Sequence, residues 1–408
     1  MKEEKTGKLK LAIVLGTSLI NGRGYEQFVM DFSKNVDREN IDLKVLQTDV
    51  VNTVQTTVDE IERKVGRDRI ITVSGRANRF RSSIFGRIRK IPLGKVFEAA
   101  IIAPIIITLL RRTIYKESLN QIRNFDAVYL VDNEDYHLVK SFKLSIIGSA
   151  IGMFENPDSY YTRIIVALIQ SRLIYRKMSA IHLFPAHYGN ISKKLGAKNL
   201  LIQPLGVDST VFKPDDSITR SKTIKFLYVG QLENWKGSQD AVNAFLKIND
   251  RIDCELNIVG SGPLYSEFEK INCHKIILHG SIERSYLSKL YQQCDVFLYP
   301  SHGETYGLVV MEALSSGMFC LVGKNLKGNF DDFVNRKYIE YLDYEINHIS
   351  QKMLECAKRL NEIRANKNTV HEYVSANYDW SVVANNMVQF FNKIAVSNSR
   401  DSETISST

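Results

Sequence analysis

The sequence predicts the α/β fold class, with two domains each built on a parallel sheet and crossover helices. Three observations predict it. The chain has 408 residues, 44% apolar and 24% charged, an ordinary globular composition with room for two sizeable cores. Short apolar runs alternate with segments of helical periodicity through most of its length. The alternation then restarts after Gln203-Pro204-Leu205-Gly206-Val207-Asp208, a proline- and glycine-bearing segment of the kind that joins domains.

Met1 to Lys10 is charged and shows no secretory signal, while Leu9 to Leu15 (LKLAIVL) reads as a first strand extending to Gly16. The loop Thr17 to Gly24 leads to a helix from about Tyr25 to Asn35, and Leu43 to Leu46 is a second strand. Further strands are expected at Ile70 to Val73, Ala127 to Val131 and Ser145 to Ser149. That order argues a Rossmann-like domain. With the boundary at about residue 208, the second half gives strands at Ile224 to Val229, Glu255 to Val259, Ile276 to Leu278 and Val296 to Tyr299. Helices are expected at Ser238 to Ile248, near Leu264 to Lys270, over Arg284 to Gln293, and from about Gly307 to Ser316. The tail Ser397 to Thr408 is polar and is expected to be disordered.

The five cysteines, Cys254, Cys273, Cys294, Cys320 and Cys356, are odd in number and widely spaced, with no metal-ligand or redox pairing. They are expected to be reduced thiols in a cytoplasmic protein. The net charge is +9, and residues 76–112 hold nine basic residues against the single acid Glu98. Within them, Val96 to Leu110 (VFEAAIIAPIIITLL) is too short and interrupted to span a bilayer, which takes about 20 apolar residues. Basic flanks beside an apolar patch suit an anionic membrane surface, the peripheral, cytoplasmic-face placement. A basic loop followed by an ordinary buried helix accounts for the same residues, and so it does for the amphipathic run Ile164 to Leu173. Phe80 and Phe85 interleave the basic residues, but no nucleic-acid-binding module surrounds them, so nucleic acid is not an expected partner.

The most informative stretch is DVFLYPSHGETYGLVVMEALSSGMFCLV, Asp295 to Val322. An apolar strand breaks at Pro300, passes through the polar turn Ser301-His302-Gly303-Glu304-Thr305, and re-enters order as a helix whose buried stripe is Val309, Val310, Ala313 and Leu314. A strand, a glycine-bearing turn and a helix start leave free N–H groups and a positive dipole end, where an anion can sit. Glu304 and Glu312 flank that end. Carboxylates accept hydrogen bonds from hydroxyls rather than bind phosphate, so the combination suits a sugar nucleotide.

This stretch resembles the family-4 retaining glycosyltransferases, whose pattern is P-S-x-x-E-x-[FY]-G-L-x-x-x-E-A-x-x-x-G, with seven residues between the two glutamates. Pro300, Ser301, Glu304, Tyr306, Gly307, Leu308, Glu312, Ala313 and Gly317 match in one register. Further resemblances are looser: Gly22-Arg23-Gly24-Tyr25-Glu26 to the glycine-rich N-terminal loop, Pro204 to Phe212 to the interdomain segment, and Asp379-Trp380 with the helix through about Ile394 to the terminal helix. The resemblance implies the GT-B architecture, two Rossmann-like domains facing across a cleft. It divides the chain into 1–207 on the acceptor side, 208–378 binding the nucleotide sugar, 379–396 packing back on the first domain, and 397–408 as the tail.

It also implies the function: a retaining hexosyltransferase-type enzyme of glycan biosynthesis. The donor would be a UDP- or GDP-linked sugar, with no metal and no cofactor expected. The resemblance puts the acceptor on the first domain, and the basic and apolar residues 76–112 of that domain point to a lipid-linked or membrane-associated glycan. By the same resemblance Lys236 of Lys236-Gly237 neutralises the donor diphosphate and Glu304 holds sugar hydroxyls near the anomeric centre. Glu312 holds the ribose, and the N–H groups of Tyr306, Gly307 and Leu308 meet the phosphates. Gly22, Gly24, Gly260 and Gly262 approach the donor, and Gly280-Ser281-Ile282 reads the base. Two departures stand out. Gln231 occupies the place of an arginine, which removes one phosphate-directed positive charge. No histidine follows the late strand of the first domain, so Glu155 or Asn156 are the acceptor-side candidates, His137 lying too early. The pair Asp331-Asp332 reads as structural or donor-side rather than as a metal pair. The departures keep open an alternative, a GT-B partner subunit that binds nucleotide without catalysis.

Overall fold

The computed structural model describes residues 8–15, 24–48, 61–73, 105–106, 109, 115–131, 133–149, 174–184, 196, 198–304 and 306–406. The chain forms two compact units, Met1–Pro204 with Val383–Thr408, and Leu205–Val382.

In the first unit the strands are β1 (Leu9–Val14), β2 (Ile41–Thr48), β3 (Ile70–Val73), β4 (Ala127–Leu130), β5 (Ser145–Ser149), β6 (Ala180–Leu183) and β7 (Leu200–Ile202). They are all parallel and lie in the order β3-β2-β1-β4-β5-β6-β7. Strands β4, β5 and β6 are buried at every position, as expected for a sheet covered on both faces. In the core, the Tyr129 hydroxyl lies 2.8 Å from His182 Nδ1, and His182 Nε2 donates to the Gln203 carbonyl at 2.8 Å. Burial holds the His182 imidazole down at about 4, so it is neutral and Nδ1 accepts from Tyr129.

In the second unit the strands are β8 (Ile224–Val229), β9 (Cys254–Val259), β10 (Ile276–Gly280), β11 (Val296–Tyr299), β12 (Phe319–Gly323) and β13 (Ile339–Leu342). They too are parallel, in the order β10-β9-β8-β11-β12-β13. Strand β8 therefore has β9 on one side and β11 on the other. The chain reverses its direction of travel across the sheet there, and ligands of such sheets sit at the carboxyl ends of the strands at that switch. The helix Leu308–Ser315 follows β11 and buries Val310, Met311, Ala313 and Leu314 against β12 and neighbouring helices.

At the opposite end of β11 lies a buried ionic group. Asp295 is fully buried and accepts from Arg364 Nε at 2.9 Å and Nη2 at 3.0 Å, from Arg220 Nη1 at 3.3 Å and from the Lys225 N–H at 3.1 Å. Arg364 also donates to the Ser221 carbonyl at 2.7 Å, tying the helix Leu360–Ala365 to the segment before β8.

Several elements depart from the sequence reading. Strands β6, β7, β12 and β13 are additions. β6 carries a histidine within four residues, and β7 spans only three with a mixed burial pattern, so neither has a legible period. β12 follows an apolar helix so closely that periodicity cannot separate the two. The division between units falls after Pro204 rather than after residue 207, because Val207 bonds to Tyr378 and Trp380 of the second unit through its N–H and carbonyl. The polar tail is helical to Ser406 within Trp380–Ser406 instead of disordered. Asn398 anchors it, donating to the Ser145 hydroxyl at 2.9 Å and the Ser179 hydroxyl at 2.5 Å. All five cysteines are free, and Cys254, Cys294, Cys320 and Cys356 are buried. Among the described residues no helix is long and apolar enough to cross a membrane.

Candidate active site

The site is assembled at the switch of the second sheet, from the loops that leave β8 and β11. Tyr228, next to last in β8, is buried, and its hydroxyl lies 3.1 Å from the carbonyls of both Gln231 and Lys236. One side chain thereby fixes both ends of the Gln231–Lys236 loop. The loop closes through the turn Asn234–Lys236 and Gly237, which adopts φ +73°, open to glycine at low cost. A Cβ at Gly237 would lie 2.1 Å from the Pro300 carbonyl oxygen, so only glycine lets the β8 loop lie against the β11 loop.

That contact brings the two predicted catalytic residues together. Lys236 Nζ donates to Glu304 Oε2 at 2.6 Å, and Tyr299, the last residue of β11, donates its hydroxyl to the same oxygen at 2.7 Å. Both members of the ion pair are largely shielded. Burial and the Glu304 carboxylate hold the Tyr299 hydroxyl well above its ordinary range, so it remains a proton donor. The arrangement fixes a carboxylate and an amine side by side, ready to exchange partners with hydroxyls and phosphate oxygens.

Glu312 lies on the helix Leu308–Ser315, with its side chain mostly covered. Its Oε2 accepts from the Tyr291 hydroxyl at 3.2 Å and its Oε1 lies 3.7 Å from Arg284 Nη2. In the bonds described, Glu304 and Glu312 thus have different partners. Gly307 caps that helix in the left-handed region at φ +90°, and Leu308 begins it, so the first N–H groups of the helix have no partner within it. Tyr306 turns inward, donating to the Leu205 carbonyl at 3.3 Å; its side chain supports the fold rather than facing a ligand.

Gly260 and Gly262 form the turn after β9. It runs beside the β8 loop, with Gly230 N–H bonded to Val259 O and Leu232 N–H to Ser261 O, each at 3.0 Å. Gly260 N–H donates to Gly280 O at 2.9 Å, and Ile282 is half-buried in the loop just beyond β10. Gln231 is exposed. Asp331 Oδ1 accepts from the Gly328 N–H at 2.9 Å and the Tyr341 hydroxyl at 3.0 Å, and Asp332 from Arg336 and Tyr373. Those bonds tie the pair to the Gly328 turn, Tyr341, Arg336 and Tyr373.

In the first unit Gly24 opens the helix Gly24–Asn35, and Glu26 is buried in its first turn. Gly22, Glu155, Asn156, the run 164–173 and most of 76–112 lie outside the described residues. His137 sits in the helix Tyr136–Val139 after β4, not after β5, and burial, then Lys140 and Lys177, lower it to about 4. The sequence reading missed Tyr228, Tyr299, Tyr291 and Arg284, the side chains that position the loops and the two carboxylates. For Tyr228 and Tyr299 the only signal was a tyrosine near the carboxyl end of each of two apolar strands.

Residues 212–373 match the family model described as Glycosyl transferases group 1. The chain is 25% identical over 226 residues to the phosphatidylinositol N-acetylglucosaminyltransferase GPI3 subunit of Saccharomyces cerevisiae, covering 52% of this chain and 49% of that protein. The chain thus spans about half the length of that relative. Among solved structures it superposes on sucrose-phosphate synthase from Thermosynechococcus elongatus with a TM-score of 0.71 at 15% identity, covering 96% of this chain and all of that one. It also superposes on Anabaena HepE, solved in complex with UDP and glucose, with a TM-score of 0.62 at 12% identity, covering 98% and 100% of the two chains. The likeness to these two is one of fold: two Rossmann-like parallel-sheet units of the GT-B class.

Proposed function

We infer that this chain is a glycosyltransferase that moves a hexose from a nucleotide sugar to an acceptor hydroxyl with retained anomeric configuration, as in the family-4 enzymes. The observation that carries the reading is the meeting of Lys236 and Glu304 at the switch of a sheet whose sequence matches group 1 glycosyltransferases. Transfer breaks the bond between the sugar C1 and the diphosphate oxygen, leaving negative charge on the diphosphate as positive charge develops on the ring. Lys236 has three donors, and Glu304 takes one of them, so a diphosphate oxygen can take another. The N-terminal end of the helix Leu308–Ser315 adds unpaired N–H groups and its dipole. Glu304 then accepts from sugar hydroxyls and Glu312 from those of the ribose. In this reading Lys236 and the helix end meet the charge of a UDP- or GDP-linked donor without a metal. The test is transfer or donor hydrolysis across a panel of sugar nucleotides, with Glu304→Ala beside the wild type. Equal rates in the two would reject the assignment.

The acceptor is a lipid-linked or membrane-associated glycan at the cytoplasmic face of a membrane. Two observations support this: the excess of eight positive charges over residues 76–112, and within them Ile105 and Leu109, four positions apart in the sequence and exposed at 53% and 55%. The related yeast protein is named for phosphatidylinositol. Co-sedimentation with neutral and anionic vesicles at low and high salt tests the point: recovery with anionic vesicles at low salt is expected, and none under any condition rejects it.

A second reading, nucleotide binding without turnover, is favoured by Gln231, exposed and uncharged where the resemblance places an arginine. Calorimetry with nucleoside diphosphates separates the two readings: binding with no turnover on any acceptor supports the second, and turnover ends it.

A further inference from the structure

We propose that Trp235 forms a carbohydrate-stacking subsite beside Lys236, receiving the apolar face of a pyranose ring. The proposal rests on the glycosyltransferase reading above and names a contact that reading does not contain. Tyr228 and Tyr299, which hold this loop and Glu304, turn inward and are at most 2% exposed. Trp235 is 43% exposed. Its indole is nevertheless held. Nε1 donates to the Glu233 carboxylate, and Lys236 Nζ lies 4.2 Å from the ring centroid. Gly303 lets the ring settle against the Glu304 loop, since a Cβ there would come 3.3 Å from its Cε3. The backbone couples the same two loops, with His302 N–H donating to the Trp235 carbonyl at 2.9 Å.

A fixed, solvent-facing indole combines a large apolar face with a low ordering cost, the properties by which aromatic rings bind the C–H face of a sugar. Its location selects the ligand. The amine over the ring is the group that meets the diphosphate, and in a nucleotide sugar the pyranose C1 is bonded directly to that diphosphate. A ring bordering the amine therefore borders the hexose being transferred or the sugar that receives it. Both sources present the same chemistry, a pyranose face.

The chain has two tryptophans, and the other, Trp380, is 2% exposed, so acrylamide quenching of indole emission reads Trp235. Wild type, Trp235→Phe and Trp235→Leu are titrated with nucleoside diphosphate, nucleotide sugar, and a simple glycoside in the presence of the diphosphate. Protection of the wild type is expected with nucleotide sugar if the donor hexose stacks, or with the glycoside if the acceptor does, and not with diphosphate alone. KM for that same ligand should rise roughly three- to tenfold in Trp235→Leu, the size of one aromatic stacking contact, and far less in Trp235→Phe. Diphosphate binding with no protection by either sugar, and unchanged KM values, overturns the subsite alone. A fall in kcat with both KM values unchanged also overturns it, making Trp235 a support for the Glu304 loop. Failure of every protein to bind diphosphate or nucleotide sugar overturns the glycosyltransferase reading and the subsite with it.

Discussion

Lys236 and Glu304, 68 residues apart in the chain, are joined by a 2.6 Å hydrogen bond between Nζ and Oε2. The contact exists because β8 and β11 are neighbours in the sheet and their loops leave the same end of it. It sets the amine and the carboxylate in place in the ligand-free fold, which under the proposed function leaves little reorganisation to be made during transfer.

Replacing Lys236 with alanine should lower kcat/KM for transfer about 10²- to 10³-fold, the effect of losing one preorganised charged donor. Lys236→Arg should recover part of that loss. The melting temperature should fall as well, since the pair is largely shielded and removing the amine leaves the Glu304 carboxylate without its charge partner. Steady-state kinetics on both variants, alongside a thermal melt, check this; an unchanged kcat/KM in Lys236→Ala would remove the residue from the site.

Tyr299→Phe deletes one hydroxyl and leaves the ring packing intact. Glu304 Oε2 keeps only Lys236 of the two donors described, so the carboxylate loses its second anchor. A hydrogen bond to a charged group is worth about 1.5–3 kcal/mol, so turnover is expected to fall roughly 10- to 100-fold. Circular dichroism should match the wild type. Loss of fold without a specific loss of activity would place the hydroxyl's role in stability.

Arg364→Ala is expected to destabilise the second unit by about 3 kcal/mol, because it strips the bidentate partner from the fully buried Asp295. Arg220, at 3.3 Å, moderates the effect. Urea unfolding measures it, and the double change Arg364→Ala with Asp295→Asn should recover part of the loss. A double variant weaker by the sum of the two single losses would show that the pair is not coupled.

Acid should destabilise the first unit through His182. Burial lowers its folded-state pKa to about 4, below the ordinary value of 6.5. The unfolded chain therefore binds the proton more readily, and stability is complete above about pH 6.5 and is lost as pH falls from there toward 4. At pH 5 the loss from this one group is about 2 kcal/mol. Unfolding free energies at pH 7.5 and 5 for wild type and His182→Gln check it: the difference between the two pH values should shrink by about that amount in the variant. His137, also lowered to about 4, would continue to contribute in both proteins.

Much of this molecule was legible in the sequence. Short runs rich in β-branched and aromatic residues located β3, β5, β8 and β11 at their observed limits; β11 (VFLY) is apolar throughout, while β3 carries Thr72, β5 Ser145 and Ser149, and β8 Lys225. The helix Arg284–Gln293 was legible for the same kind of reason, its 3.6-residue period. Apolar residues at helical spacing after the polar turn Ser301–Thr305 located the helix that begins at Leu308, since that period is a local signal. What sequence could not separate were elements with no period of their own, such as β7, and the apolar β12 that follows directly on an apolar helix.

The partners of the functional groups belong to the second kind of information. That Lys236 meets Glu304, that Tyr299 donates to Glu304 and Tyr291 to Glu312, and that Gly237 lies against Pro300 all depend on which strands are neighbours. Residue type and spacing along the chain set which groups can donate, accept or carry charge. Strand order sets which of them come within 3 Å, because parallel pairing brings together loops whose separation in sequence carries no trace of their proximity.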